Sequence, residues 1–333
     1  MTKSITSFAV LLESYFTKRL MQQRQASPHT IGSYRDTFRL LLHFARQRLK
    51  KQPSQLELKD IDAPLIAAFL DEMEKKRSAS PRTRNLRLTA IRSFFRYIAF
   101  EVPEKSSQIQ RVLAIPSKRY TKSIVNFLTQ QEVEAMLLAP DQRAWSGRRD
   151  HAFILVAVQT GTRLSELTSL QRQDVIISTG AHIRVMGKGR KERSIPLTKQ
   201  TVVVLKAWMA EPARAGTKFL FPNARGGQLS ADGVQYIVSK HVSIASEHCA
   251  SLRDKRITPH TLRHTMAMEL LQAGVDQSMI ALWLGHESIE TTQIYLHANL
   301  ALKEKILSKT ALPEGKPGRY RPDDQLLSFL KNL

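Results

Sequence analysis

The sequence predicts a mainly helical protein with one small antiparallel β-sheet, an α+β fold in two domains. Most of the chain places apolar residues at helical spacing, whereas residues 175–197 alternate apolar and polar side chains around Gly180 and Gly187–Gly189. A length of 333 residues, of which 42% are hydrophobic and 24% charged, is sufficient for two hydrophobic cores. The predicted divisions are a helical domain at 1–115, a linker at 116–128, a second domain at 129–310 and a C-terminal tail at 311–333.

Four helices are predicted in the first domain. The first spans residues 4–24. The next three begin at Ser27, Asp62 and Ser80, each followed within two residues by a proline that suits the first turn of a helix. The apolar periodicity then lapses over 102–125, which indicates the linker.

The charge of the chain indicates a polyanionic partner. There are 51 Lys and Arg against 29 Asp and Glu, a formal net charge of +22, and residues 1–122 hold 24 of the basic residues but only 10 of the acidic ones. Nucleic acid is favoured over an anionic membrane because no long apolar span accompanies the charge, although a merely basic soluble surface is the alternative. The single cysteine, Cys249, and the lack of a signal sequence predict a cytoplasmic protein without disulfides.

The fourth helix of the first domain carries arginines on successive turns around its apolar side. Each of them could contact one phosphate, so this helix is the predicted DNA contact, and a solvated arginine face is the alternative. The residues are Arg82, Arg84, Arg87, Arg92 and Arg96.

The second domain places polar residues next to predicted turns. A helix at 149–159 is followed by the string TGTRLSEL, in which Arg163 comes just after a glycine turn and Glu166 one turn later. Glu166 is expected to hold Arg163 or His260 in place, or else to be an exposed helix acid. The string MGKGRKER lies between two short β-type runs, which places Lys188 at the tip of a hairpin.

A helix over 259–273 is predicted because Thr258 can cap its start and Gly274 follows its last apolar turn. His260 and Arg263, three residues apart, are therefore neighbours on one face of this helix. In a phosphodiester site, an arginine can stabilise charge on the non-bridging oxygens while a histidine moves a proton. A solvated helix face is the plainer interpretation of the same pair.

Two further short helices are predicted after this one. The first covers 278–284 and ends at Gly285, which is followed by His286. The second opens near Ser288 and carries Tyr295 among threonines rather than on an apolar stripe. Such a tyrosine is a candidate nucleophile, although amphipathic packing is the commoner role for a lone tyrosine.

Six residues in chain order complete a known pattern. The strings TGTRLSEL, GKGRKER, HTLRHT and LGHESIETTQIY make the chain resemble a tyrosine recombinase of the phage-integrase family, by motif over about 130–300 and by helical, basic character over 1–115. The resemblance implies a core-binding domain at 1–115 that closes over DNA opposite a catalytic domain at 129–310. The residues that match the family's catalytic set are Arg163, Lys188, His260, Arg263, His286 and Tyr295.

The resemblance also implies a mechanism. Tyr295 would attack a DNA phosphodiester and form a 3′-phosphotyrosyl linkage, which conserves bond energy and needs no nucleotide cofactor. The two arginines would clamp the non-bridging oxygens, and Lys188 would protonate the leaving 5′-oxygen. His260 would act as the base toward the tyrosine and His286 would hydrogen-bond the phosphate. No metal is expected: His260 and His264 have a spacing that could bind zinc, but the surrounding cations would repel it.

The expected partners are double-stranded DNA recombination sites and other recombinase protomers, in a homotetramer or a hetero-assembly on DNA and with no membrane. A type IB topoisomerase is the nearest rival enzyme, and a DNA-binding protein with an inactive recombinase fold is the rival from another class. The biological role stays open among a phage integrase, a Xer-type resolver and a transposable-element recombinase, with the last two favoured. The apolar cluster at 326–330 in the tail would dock either on a neighbouring protomer or on its own domain.

Overall fold

The computed structural model describes residues 7–120, 125–187, 192–212, 217–286 and 292. The chain divides into two compact units, Met1–Lys122 and Ser123–Leu333. Helices dominate both, and one three-stranded antiparallel sheet lies in the second, which confirms the predicted fold class. No helix in these described ranges combines the length and the apolar character that crossing a membrane requires.

The first unit is a helical bundle around a cluster of aromatic rings. Phe94 lies at its centre, with its ring centroid 5.3 Å from that of Phe8, 5.5 Å from Tyr15 and 5.4 Å from Phe38. These edge-to-face contacts join the first, second and fourth helices of the bundle. Its described α-helices are α1 (Phe8–Ser14), α2 (Pro28–Leu49), α3 (Ala63–Arg77), α4 (Pro81–Glu101) and α5 (Ser106–Leu113).

The N-terminal helix differs from the regular helix predicted over 4–24. After α1 it continues as a π-helix over Tyr15–Gln23. Tyr15 and Leu20 are five residues apart and both are fully buried. A π-helix places residues at this spacing on one side, whereas an α-helix would turn one of them toward solvent. Packing of both side chains therefore favours the wider helix.

The boundary between the two units falls within the predicted linker 116–128, and one further helix precedes that linker. The lapse in periodicity expected from residue 102 onward instead contains α5, whose Ile109 and Val112 are buried in the core of the first unit. The expected linker 116–128 also begins and ends in packed structure. The carbonyl of Pro116 accepts a hydrogen bond from Arg84 of α4, and the backbone N–H of Leu128 donates to a side chain of the second unit.

The second unit packs helices around α7, most of whose residues are buried, and beside a small sheet. In the sheet, Val175 pairs with Ile183, and Ile183 pairs in turn with Ile195, which confirms the antiparallel strands predicted over 175–197. Its described elements are α6 (Gln130–Leu138), α7 (Trp145–Thr160), α8 (Leu164–Ser169), β1 (Val175–Ile176), β2 (His182–Met186), β3 (Glu192–Pro196), α9 (Lys199–Ala210), α10 (Ala231–His248), α11 (Pro259–Gln272) and α12 (Gln277–Leu284).

Three of the sequence predictions concern residues outside the described ranges. These are the position of Lys188, in the segment that joins β2 to β3, the helix expected from Ser288 with Tyr295, and the tail at 311–333. The helix expected at 259–273 and the short helix expected at 278–284 are confirmed by α11 and α12.

Candidate active site

The C-terminal end of α12 is the point on which three arginines converge. The last carbonyls of a helix lack partners within the helix and carry a partial negative charge, so they attract cationic donors. Here one arginine follows α7, one lies on β3 and one on α11, and each donates to a different one of three successive carbonyls. The pairs are Arg193 Nε to Trp283 O (3.2 Å), Arg263 Nη2 to Leu284 O (2.7 Å) and Arg163 Nη2 to Gly285 O (2.6 Å).

Two glycines make this close approach possible. Gly285, which ends α12, has a φ of +65°, and a Cβ atom there would lie 2.9 Å from Nη1 of Arg193. Gly161, which ends α7, has a φ of +61°, and a Cβ atom there would lie 2.8 Å from a methyl carbon of Leu284. Both positions need the left-handed backbone that glycine adopts without strain, and both need the absence of a side chain.

Glu166 holds Arg163 in place, as one of the sequence alternatives proposed. It lies on α8, and its carboxylate accepts from the backbone N–H of Arg163 at 2.8 Å and from Nη1 of the same residue at 2.9 Å. Arg193 donates to both oxygens of the same carboxylate, at 3.1 and 2.8 Å. Burial opposes ionisation of Glu166, but the hydrogen bonds from Arg193 and Arg163 outweigh it and hold its pKa below the ordinary value.

Arg263 is a buried connection between three helices. Only 6% of the residue is exposed, and its Nη1 donates to the carbonyl of Gly161 at 2.7 Å while Nη2 donates to Leu284. It thereby ties the ends of α7 and α12 to α11. His260 lies on the preceding turn of α11 and is exposed. The structure thus brings Arg163 and Arg263 to the same turn and leaves His260 at its solvent side.

His286 follows this turn directly. Its backbone N–H donates to Ala281 O at 2.8 Å, and its Nδ1 lies 2.8 Å from Oγ1 of Thr292. Burial, followed by the charges of Arg263 and Arg163, lowers the pKa of His286 to about 4. The imidazole is therefore neutral at neutral pH and can hydrogen-bond a phosphate oxygen without adding charge.

His264, on the turn of α11 after His260, also has a lowered pKa. Burial is the main cause, and the neighbouring His260 and Arg263 add to it, so that the pKa of His264 is lowered to about 4. In the ranges that the structure describes, no group of three or more His, Cys, Asp or Glu side chains is arranged to hold a metal ion.

These two histidines predict a loss of stability in mild acid. The unfolded chain takes up protons on His264 and His286 below their ordinary pKa of 6.5, whereas the folded chain does so only near pH 4. The free energy of unfolding therefore falls as the pH drops from 6.5 to about 4. Carboxylates with lowered pKa values, such as Glu166, reduce the free energy of unfolding further, but only below their ordinary pKa of 4.5. In His264→Gln we expect the melting temperature to fall less between pH 6.5 and about 4 than it does in the wild type. An equally steep fall would show that His264 is not one of the groups responsible.

Three of the five arginines predicted to bind DNA make contacts within the first unit. Arg84 is only 5% exposed and lies 3.6 Å from a carboxylate oxygen of Glu74, so it is a poor candidate for a phosphate contact. The sequence pattern could not reveal these contacts, because the three side chains reach across to neighbouring segments; Arg84 is buried, and Arg87 and Arg92 are partly exposed. The contacts are Arg84 Nη1 to Pro116 O (3.2 Å), Arg87 Nη1 to Ser33 O (3.1 Å) and Thr37 Oγ1 (2.9 Å), and Arg92 to Ile115 O and Ser117 Oγ.

Arg82 and Arg96 remain exposed on α4 and are the arginines of this set that can meet DNA without breaking internal contacts. We expect the double change Arg82→Gln and Arg96→Gln to flatten the slope of log K against log salt by about 1 to 2, because each lost phosphate contact removes about 0.9 from the slope. The matched control is Arg84→Gln, which is expected to lower the melting temperature and leave the slope unchanged. Fluorescence anisotropy over a salt series measures the slopes, and an unchanged slope in the double variant would place this face of α4 away from DNA.

The motif-based set omits Arg193. On β3 the inward positions alternate between Arg193, which is partly buried, and Ile195, which is buried, and Arg193 pairs across the sheet with buried Val185. An arginine at an inward position of a short strand needs an internal partner. The alternation of the sequence over 192–196 could therefore have indicated that Arg193 forms an internal ion pair. Glu166, from α8, is that partner.

Comparison with known proteins agrees with this geometry. Residues 126–301 match the model of the phage integrase family, and residues 14–101 match that of the phage integrase N-terminal SAM-like domain. The chain belongs to the phage integrase family. Over all 333 residues of both chains it is 65% identical to a Sinorhizobium fredii protein named as an integrase/recombinase, y4rC. It is 34% identical over 305 residues to the tyrosine recombinase XerC of Pelotomaculum thermopropionicum, covering 89% of this chain and 96% of that protein.

Solved structures extend the similarity to three dimensions. The crystal structure of the XerH site-specific recombinase bound to palindromic difH substrate, a post-cleavage complex, has a TM-score of 0.69 and 26% sequence identity. The similarity covers 86% of this chain and 81% of XerH. The resemblance to tyrosine recombinases that the motifs indicated is thereby confirmed.

Proposed function

We propose that this family member cuts and rejoins DNA strands at specific sites by transesterification, with Tyr295 as the nucleophile. The Tyr295 hydroxyl oxygen forms a bond to the phosphorus while the bond from phosphorus to the 5′-oxygen breaks. The products are a 3′-phosphotyrosyl linkage and a free 5′-hydroxyl. The reverse attack by a 5′-hydroxyl of another strand rejoins the DNA and passes through a Holliday junction, so no nucleotide cofactor is consumed.

The observation that carries this proposal is the convergence of Arg163, Arg263 and neutral His286 at the end of α12. A guanidinium has five N–H donors, and the Arg163 side chain uses one on Glu166 and one on Gly285 among its described contacts. With 28% of its side chain exposed, Arg163 can turn its remaining donors to a phosphate. Held donors of this kind stabilise the charge that builds on the non-bridging oxygens in the transition state.

The proton transfers are assigned to three residues. His260, exposed on α11, takes the proton of the tyrosine hydroxyl, whose ordinary pKa of about 10 leaves it protonated at neutral pH. Lys188 gives a proton to the departing 5′-oxygen, which therefore leaves as a neutral hydroxyl. His286, neutral at neutral pH, donates a hydrogen bond from its ring N–H to a non-bridging oxygen.

The proposed assembly is a homotetramer, or a hetero-assembly with a related recombinase, on two DNA sites. Residues 1–115 and the catalytic domain at 129–310 both bind the duplex, and the tail at 311–333 is available for a contact with a neighbouring protomer or with its own domain. The similarity to y4rC, named as an integrase/recombinase, and to the tyrosine recombinase XerC supports recombination as the activity. We place its role in a mobile element or in Xer-type resolution. Matches over both domains also favour a recombinase over a type IB topoisomerase.

A covalent adduct tests the proposal. The full chain is incubated with a library of duplexes that carry a nick within randomised sequence, so that cleavage next to the nick releases a short fragment and traps the enzyme. After denaturation and digestion, mass spectrometry is expected to find a nucleotide on the peptide that contains Tyr295, and sequencing of the trapped DNA identifies the site. DNA binding without an adduct, or an adduct on a different residue, would contradict the proposal.

A further inference from the structure

Arg193 has the contacts of a residue that organises the site, although it is not one of the six residues that match the family's catalytic set. Its side chain is 15% exposed, and it donates through both terminal nitrogens to the Glu166 carboxylate and through Nε to the Trp283 carbonyl. It thus joins β3 to both α8 and the end of α12. The side chain of Glu166 is 3% exposed, so this ion pair lies where solvent screens charge weakly.

The Glu166 carboxylate is fully occupied by the two arginines. Each of its oxygens accepts one bond from Arg163 and one from Arg193, four in all, which matches the number of lone pairs that a carboxylate offers. Removal of Arg193 would free half of these positions and leave Arg163 as the sole cation in the group. The carboxylate could then rotate, and the direction in which Arg163 points would no longer be fixed.

The chemistry of this position favours arginine over lysine. The three contacts require a planar fork with donors on two sides, one side for a bidentate carboxylate and the other for a carbonyl. An ammonium group could neutralise Glu166 but could not also reach Trp283 with this geometry. Gly285 is packed against the same guanidinium, so the turn before His286 is shaped around an arginine.

We propose that Arg193 is a positioning residue for strand cleavage. Through Glu166 it fixes the direction of Arg163, and through the Trp283 carbonyl it fixes the turn that carries His286. Arg193 does not contact the reacting phosphate in this role. The inference rests on the proposed recombinase function, because it concerns the same site and the same step.

The test compares cleavage of two substrates by Arg193→Gln. On the DNA site recovered from the covalent adducts, we expect cleavage to slow by about tenfold to a hundredfold, somewhat less than the ~10²–10³ typical of a lost direct donor. DNA affinity is expected to stay at the wild-type value. The second substrate carries a methylphosphonate at the scissile position, which removes the negative charge that Arg163 stabilises. If Arg193 acts through Arg163, the factor by which Arg193→Gln slows cleavage is smaller on the methylphosphonate than on the ordinary phosphodiester. The same decrease is expected for Arg163→Ala.

Two further variants separate positioning from folding. Arg193→Lys keeps the charge and is expected to recover only part of the rate, since it cannot make all three contacts. Arg184→Gln, on the neighbouring strand, removes an exposed arginine that donates to Gln173 O and is expected to cleave at the wild-type rate. Rates are measured below the melting temperature of each variant and normalised to the folded fraction.

The outcomes distinguish the two proposals. A wild-type chain that forms no adduct overturns the recombinase function and this role together. Adducts from the wild type with an equal rate for Arg193→Gln overturn the positioning role alone. A rate that falls by the same factor on both substrates also overturns it, because a general structural defect does not depend on the charge of the phosphate.

Discussion

Replacing Tyr295 by phenylalanine is expected to abolish the covalent protein–DNA adduct completely. The change removes one oxygen, the atom that attacks phosphorus, and keeps the aromatic ring. DNA affinity is expected to stay near the wild-type value, because binding depends on the many phosphate contacts of the chain rather than on one hydroxyl. Denaturing gels of the trapped duplex measure the adduct, and anisotropy on the same duplex measures affinity.

The matched control is Tyr236→Phe. Tyr236 lies on α10 in the same unit and is 70% exposed, so loss of its hydroxyl tests whether an exposed tyrosine as such supports the reaction. We expect this variant to form adducts at the wild-type level. An adduct that persists in Tyr295→Phe would show that another residue is the nucleophile and would remove the basis of the proposed mechanism.

Replacing Arg263 by alanine is expected to affect both catalysis and stability. Catalytically, loss of a preorganised donor costs ~10²–10³ in cleavage rate. Structurally, the buried carbonyls of Gly161 and Leu284 lose the donor at 2.7 Å that each now has. Each carbonyl left without a donor costs about 1–3 kcal/mol, so the free energy of unfolding is expected to fall by about 2–6 kcal/mol.

The comparison with Arg163→Ala isolates the structural part. Arg163 is more exposed than Arg263, and Glu166 would retain its bonds from Arg193 in that variant. We therefore expect a comparable loss of cleavage but a much smaller fall in the free energy of unfolding. Urea denaturation followed by circular dichroism provides the stabilities. Equal stabilities of Arg263→Ala and the wild type would show that the buried contacts of Arg263 do not hold the turn together.

Local sequence signals predicted the helices of the site well. Thr258 accepts a hydrogen bond from the backbone N–H of Thr261 at the start of α11, and Gly285 ends α12 in the left-handed conformation. Caps, first-turn prolines and C-terminal glycines act through the nearest few residues, so their effect is visible in the sequence. The lapse in helical periodicity expected from residue 102 was wrong for the converse reason. No side-chain cap marks the start of α5, and burial of Ile109 and Val112 stabilises it.

The arginines show where local signals end. Sequence spacing places Arg82, Arg84, Arg87, Arg92 and Arg96 around one helix but does not say which of them another segment will cover. Arg84 and Arg92 are bound by the segment 115–117 and Arg87 by α2, partners more than 20 residues away along the chain. An arginine on a helix surface has the same local pattern whether it faces solvent or a carbonyl of a distant segment.

The sequence by itself determined the fold class, the family and the order of the catalytic motifs, because helical periodicity, capping residues and the strings around Arg163 and Arg263 are properties of short stretches. Only the tertiary structure decided how these stretches meet. Three successive carbonyls of one turn are capped by arginines that are up to 100 residues apart, and Arg193 completes the group although the six-residue catalytic set does not include it. The physical reason is that buried carbonyls and a buried carboxylate must find donors, and which donors reach them depends on the packing of α7, α8, α11, α12 and the β-sheet against one another.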